Sequence, residues 1–331
     1  MKKALSLLLT LALVCAAIVL PVSAEEAKTP SLAIVVAGSF GDRSFYDSAK
    51  EGGEQLESEF GTKVLYIECG EDASRYQRAL NDAAKECDIV AAVGWQFYDA
   101  LDTVPDNNKD TKFVFIDNAM DEMPDNLMCV TYAQNEGSFL AGYIGAKLSA
   151  NASIGAVGGE DADTINDFLI GYEAGAKYAN PDAKVSRQYA NTYEDPAKGN
   201  ECALALYTSG ADVVFAVAGK TGEGVFEAAK EYGKGVLAIG VDGDQKYINP
   251  DLIICSMVKK VGKSLYDIVS DPDSYYKGGE VWNANMATGY IDVVYGTEDM
   301  PQQASDELKA EVEELKAKII SGEIVVPSAF E

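Results

Sequence analysis

Short apolar runs rich in valine, isoleucine and alanine alternate with helical periodicity along most of the chain, and that alternation leaves few folds open. LAIVVAG (32–38), VLYIEC (64–69), DIVAAVG (88–94), KFVFID (112–117) and MCVTY (128–132) form a first series. A second follows in IGAVGG (154–159), KVSRQYA (184–190), DVVFAVAG (212–219) and VLAIGVD (236–242). Continuous β-branched runs without strict in–out alternation suit parallel strands buried on both faces. Helices are expected at 44–59, 74–86, 165–179, 197–208 and 222–232, with further long segments at 136–149 and 304–321. Asp195-Pro196 marks one start, an N-cap acceptor followed by the ring that suits the first helical position. The fold class is therefore α/β, two doubly wound parallel sheets in succession with no low-complexity linker between them. In such sheets ligands sit beyond the carboxyl ends of the strands, so two adjoining lobes predict a cleft between them. Its walls are expected from Ser39–Phe45, Gly94–Tyr98, Asp117–Asn118, Gly158–Asp163, Ala190–Asp195, Gly219–Gly224, Asp242–Gln245 and Ser256–Lys260.

Composition removes much chemistry. The 331 residues include no histidine, which excludes Ser-His-Asp and Cys-His catalysis and every imidazole-ligated zinc site. The formal net charge of −26 repels phosphate backbones, so nucleic-acid polymers are not expected partners. The first 24 residues read as a secretory signal peptide: Lys2 and Lys3, an apolar stretch from Ala4 to about Leu20, then Val22-Ser23-Ala24 before Glu25. An uncleaved anchor and a lipid-bearing Cys15 are the other readings of this segment, which places the protein at the cell surface or in the periplasm. Of the five later cysteines, Cys69, Cys129 and Cys255 lie in strand-like runs, and buried free thiols are expected over disulfides.

VVFAVAGKTGEG (213–224) superficially looks like a phosphate loop. That loop needs G-x-x-x-x-G-K-[ST], and its first glycine would fall on Val214 inside a strand, so the cradle cannot form. VDGDQKY (241–247) is not a calcium loop, since Lys246 occupies a ligand position. No G-x-S-x-G elbow occurs, and no constellation argues for catalysis, a cofactor or a metal.

Taken together, the strand-end segments resemble one family. GSFGDRSFYDSAKEG (38–52) is similar to the G-x-x-x-D-x-S-F-N-x-x-x-x-E-G opening of the basic membrane protein family, the purine-nucleoside-receptor-like substrate-binding proteins of ABC importers. NEGSFLAGYIGA (135–146), GGEDADTINDFLIGYEAG (158–175) and the stretch from YEDPAKGN (193–200) to AGKTGEGVF (218–226) resemble its later motifs, and IGVDGDQ (239–245) and SMVKKV (256–261) complete the set. The likeness runs in order from about residue 32 to 270.

The resemblance implies a type I periplasmic-binding fold whose two lobes, joined by three crossovers, close on a purine nucleoside. The lobes are expected at 30–133 with 259–288, and at 134–258 with 289–331. By position, Phe45 and Tyr193 would cover the two faces of the base, while Asp42 and Asp117 would meet its edge. Asp242 and Lys259 would hold the ribose hydroxyls, and Gly219 would allow close backbone approach. The bland readings are a core staple for Phe45 and a surface aromatic for Tyr193. Tyr46 stands where the family has asparagine; Tyr132, Asp163, Tyr193 and Lys220 also depart from its pattern and are expected to change the polarity around the cleft. The protein implied is a monomeric, non-enzymatic binding protein serving an ABC permease. A receptor for a sugar or signalling molecule, and a nucleoside hydrolase using Asp242 as base, are the alternatives.

Overall fold

The computed structural model describes residues 29–330 apart from Lys234, so the expected signal peptide and Cys15 lie outside the described residues. The chain first lays down β1 (Leu32–Val36), α1 (Phe45–Phe60), β2 (Val64–Glu68), α2 (Ala73–Ala84), β3 (Ile89–Val93), β4 (Lys112–Ile116) and β5 (Leu127–Tyr132). It then forms α3 (Gln134–Leu148), β6 (Ser153–Gly158), α4 (Asp163–Ala179), β7 (Lys184–Tyr189), α5 (Pro196–Thr208), β8 (Val213–Val217), α6 (Glu223–Tyr232), β9 (Leu237–Asp242) and β10 (Ile253–Lys259). The remaining long elements are α7 (Val261–Ser270), β11 (Val281–Ala284), β12 (Ile291–Val294) and α8 (Asp306–Ile320).

Two six-stranded sheets result, ordered β11-β5-β4-β3-β1-β2 and β12-β10-β9-β8-β6-β7. Every residue of β1, β3 and β8 is buried, as expected for central parallel strands covered by helices on both faces. The edge strand β7 instead alternates exposed and half-buried residues and carries Lys184 and Arg187, which discourage pairing with another chain. The path passes between sheets after β5, after β10 and between β11 and β12.

Three strands differ from the sequence expectation. Ser256–Lys260 was expected to follow a strand, but β10 runs through it to Lys259, with Ser256 buried and accepting the Gln245 N–H at 3.0 Å. β11 and β12 were not anticipated: Asn283 and Asp292 interrupt four-residue edge strands that carry no continuous apolar run. The second sheet is not wholly parallel, because β12 runs antiparallel to β10.

Local chemistry explains the helix ends. Asp195 accepts from the Ala197 and Lys198 N–H groups at 3.0 and 3.3 Å ahead of Pro196, a cap worth about 1 kcal/mol. Helices α3 and α4 pack backbone to backbone through glycines. A β-carbon added at Gly142 would lie 2.0 Å from the Tyr172 carbonyl oxygen, and one at Gly175 only 1.8 Å from that of Phe139. All five cysteines of the described residues are free; Cys202 is half-buried and the other four are buried. Among the described residues no helix is long and apolar enough to cross a membrane.

Candidate functional site

Between the strand ends of the two lobes lies a narrow cleft with about 50 Å³ of free volume. It brings together Asp42, Phe45, Tyr46 and Asp117 from the first lobe with Tyr193, Gly219, Asp242 and Lys259 from the second. Strand ends position them. Asp117 follows β4 and Asp242 ends β9, and both adopt left-handed backbone, at φ 80° and 63°. Such strain at non-glycine residues collects where the surrounding structure holds a side chain for a task.

The two aromatic walls are built differently. Phe45 opens α1 on the first lobe, with its ring centre 5.4 Å from that of buried Tyr46. Tyr193 lies in the loop between β7 and α5 on the second, its ring pressed against Gly159, where a β-carbon would come within 2.1 Å. The Gly219 turn backs it, at φ 53°. This turn is no phosphate cradle: the Thr221 N–H donates to the Tyr193 carbonyl at 3.0 Å, and Lys220 pairs with Glu194 at 3.7 Å.

The polar groups of the cleft also make bonds within the protein. Asp42 was expected at a base edge, but it caps the start of α1. Its Oδ1 accepts from the Ser44 and Asp47 N–H groups at 3.0 and 2.9 Å, and its Oδ2 from Tyr46 at 2.9 Å. Asp117 and Lys259 were assigned to base and ribose separately, yet they form one buried ion pair at 2.8 Å. The added length of β10 brings Lys259 to that level. Its ammonium also lies 4.7, 4.8 and 5.5 Å from the ring centres of Phe45, Phe168 and Tyr132, so a buried charge is compensated by a carboxylate and three aromatic rings. Asp242 is the carboxylate with spare capacity. Its Oδ2 accepts from the Ser44 hydroxyl at 2.7 Å, while its buried Oδ1 has no protein partner.

Burial raises the pKa of all three cleft carboxyls. Asp42 is pushed up to about 7 despite its three N–H donors, and Asp117 to about 6 despite Lys259; Asp242 is also raised. A carboxyl raised on folding stabilises the native state fully below its unfolded value, near 4, and that stability is lost as pH climbs through the folded value. With no histidine to titrate, the melting temperature is expected to rise as pH falls from 8 to 5. Calorimetric scans across that range check it; a melting temperature that falls toward pH 5 would contradict these shifts.

Sequence reasoning singled out neither Trp95 nor Gln96, which line the cleft from the loop after β3, nor Phe168 of α4. Their signal was present: 94–98 is a strand-end loop, and Phe168 lies within the GGEDADTINDFLIGYEAG segment. The indole N–H of Trp95 lies beside the Tyr193 hydroxyl, although neither reaches hydrogen-bond geometry. Of the five departures, Tyr46 and Tyr193 line the cleft. Tyr132 is buried and bonds Ser264 at 2.5 Å. Asp163 is exposed at the start of α4 and lines no part of the cleft, contrary to expectation.

Two open α/β lobes crossed three times by the chain, with a buried cleft at their strand ends, define the type I solute-binding class. A solute-binding protein from Aeropyrum pernix K1 shares the fold with a TM-score of 0.81 and 27% identity, over 90% of this chain and 93% of that one. The chain belongs to the family described as ABC transporter substrate-binding protein PnrA-like, whose profile matches residues 29–329. It is 36% identical to basic membrane protein A of Borreliella burgdorferi over 304 residues, covering 90% of this chain and 88% of that protein. It is 34% identical to the ABC transporter nucleoside-binding protein BmpA of Lactococcus lactis subsp. cremoris over 326 residues, covering 92% and 91%.

Proposed function

We propose that this substrate-binding protein acts outside the cytoplasm, as a monomer without catalytic activity, capturing a purine nucleoside and delivering it to an ABC permease. The observation that carries this reading is the pairing of an aromatic wall from each lobe, Phe45 and Tyr193, with the unpartnered Oδ1 of Asp242 in one cleft. Aromatic walls suit a base, whose two faces are apolar and polarisable, and a carboxylate suits donation by sugar hydroxyls. The nucleoside-binding name of the Lactococcus relative supports the same ligand class. Closure works as a population shift. A ligand touching both lobes binds the closed state more tightly and favours it by that difference. The moving bodies are 30–133 with about 260–288, and 134–259 with 289–331, since Lys259 ends β10 of the second sheet; the leader 1–24, cleaved or lipid-bearing, directs export.

The test is calorimetric titration of unfolded and refolded, ligand-free protein with adenosine, guanosine, inosine, uridine and ribose. Saturable binding of the purine nucleosides, stronger than that of uridine or ribose, is expected. Binding of ribose or another sugar with no response to any nucleoside would transfer the cleft to a different ligand class. Release of hypoxanthine from inosine would make the protein a hydrolase.

A further inference from the structure

At the rim of the cleft, each lobe extends a carboxylate onto the backbone of the other. Glu71, just after β2, accepts the Tyr193 N–H on Oε1 at 2.8 Å and the Thr192 hydroxyl on Oε2 at 3.0 Å. In the opposite direction, Glu194 of the second lobe accepts the Ser39 N–H, just after β1, at 2.7 Å. Glu71 makes this reach from left-handed backbone, at φ 58°, directly after Gly70 at φ 67°. Its own N–H is tied to the Ala37 carbonyl at 2.7 Å. A glutamate is a costly choice at that conformation, where glycine would be relaxed. The loop therefore keeps a strained residue whose side-chain hydrogen bonds are spent on the other lobe. These bonds join in the three-residue segment that carries Tyr193, one of the two aromatic walls.

We propose that Glu71 and Glu194 form a reciprocal latch that holds the lobes closed and positions Tyr193, thereby setting how long a bound ligand stays. The latch rests on the binding-protein reading of the cleft but not on the identity of the ligand. Carboxylate-to-N–H bonds are charge-assisted, and they exist only when the lobes meet, so they act on the closed state and on the rate of leaving it. Glu71 does not line the cleft; it acts through Tyr193. Substitution should accelerate dissociation and, because the ligand enters the open state, should not slow association.

Glu71→Gly separates this role from a merely structural one, because glycine relieves the backbone strain while deleting the carboxylate. Three forms, wild type, Glu71→Gly and Glu71→Gly with Glu194→Ala, are compared ligand-free by small-angle X-ray scattering and thermal melting. Inosine dissociation is then followed through the fluorescence of Trp95, which lines the cleft. The expected result is an unchanged or higher melting temperature with a larger radius of gyration in both variants. Dissociation should be faster by about fivefold for the single and roughly thirtyfold for the double variant. Glu71→Gln, which keeps an acceptor oxygen, should recover part of the loss. Radii and dissociation rates equal to wild type would overturn the latch. If wild type does not bind inosine, the nucleoside reading fails instead, and the scattering comparison alone decides the latch.

Discussion

Asp242→Ala is expected to weaken nucleoside binding by at least about a hundredfold while leaving the protein folded. The carboxylate is buried at the end of β9, and Ser44 of the other lobe holds Oδ2 in place, so Oδ1 is oriented before any ligand arrives. A charge-assisted hydrogen bond in such a setting contributes about 1.5–3 kcal/mol, and two neighbouring sugar hydroxyls can share the group. Stability should move the other way or stay level, because the substitution removes a buried charge that has no full set of partners. Titration calorimetry of the variant beside wild type, with a melting curve for each, provides the measurement. Inosine compared with 2′-deoxyinosine sharpens it: the preference for the ribose form should disappear in the variant. Undiminished affinity would remove Asp242 from the binding machinery.

Gly175→Val is expected to cost about 4 kcal/mol or more and to lower the melting temperature by roughly 10 °C. The contact between α3 and α4 leaves no room, since even the first added carbon would fall 1.8 Å from the Phe139 carbonyl oxygen. That neighbour is main chain and cannot rotate aside as a side chain can. The helices must separate, and Phe139, Phe168 and Tyr172, all buried, would lose packing with them. Gly175→Ala should show a smaller loss of the same sign. Circular dichroism melting measures both, and a valine variant as stable as wild type would mean the two helices are not held at this spacing.

Much of the architecture was legible because it rests on local patterns. LAIVVAG and DIVAAVG announce buried strands by being apolar without interruption, and Asp195-Pro196 announces a helix by its capping chemistry. Strands β11 and β12 were illegible for the converse reason: their partners β5 and β10, rather than their own residues, make them strands. The cleft divides in the same way. Asp242, Tyr193 and Phe45 were accessible as strand-end and motif residues, whereas pairing depends on which groups meet across lobes. No local pattern shows that Lys259 finds Asp117 or that Glu71 reaches Tyr193. Trp95 was hidden differently, as one aromatic in a loop with no feature to set it above its neighbours.

The threefold passage of the chain between sheets bears on how the protein is made. The first sheet is completed only by β11, and the second only by β12, so the first remains open until Ala284 and the second until Val294 has been synthesised. The pairing of β11 with β5 brings together Val281 and Cys129, a long loop to close before either sheet edge is satisfied. Contacts so distant along the chain slow folding, and early fragments lack the partners that would lock them. A nascent chain of this kind remains threadable for most of its synthesis, which is the condition a secretion channel imposes on the export proposed above.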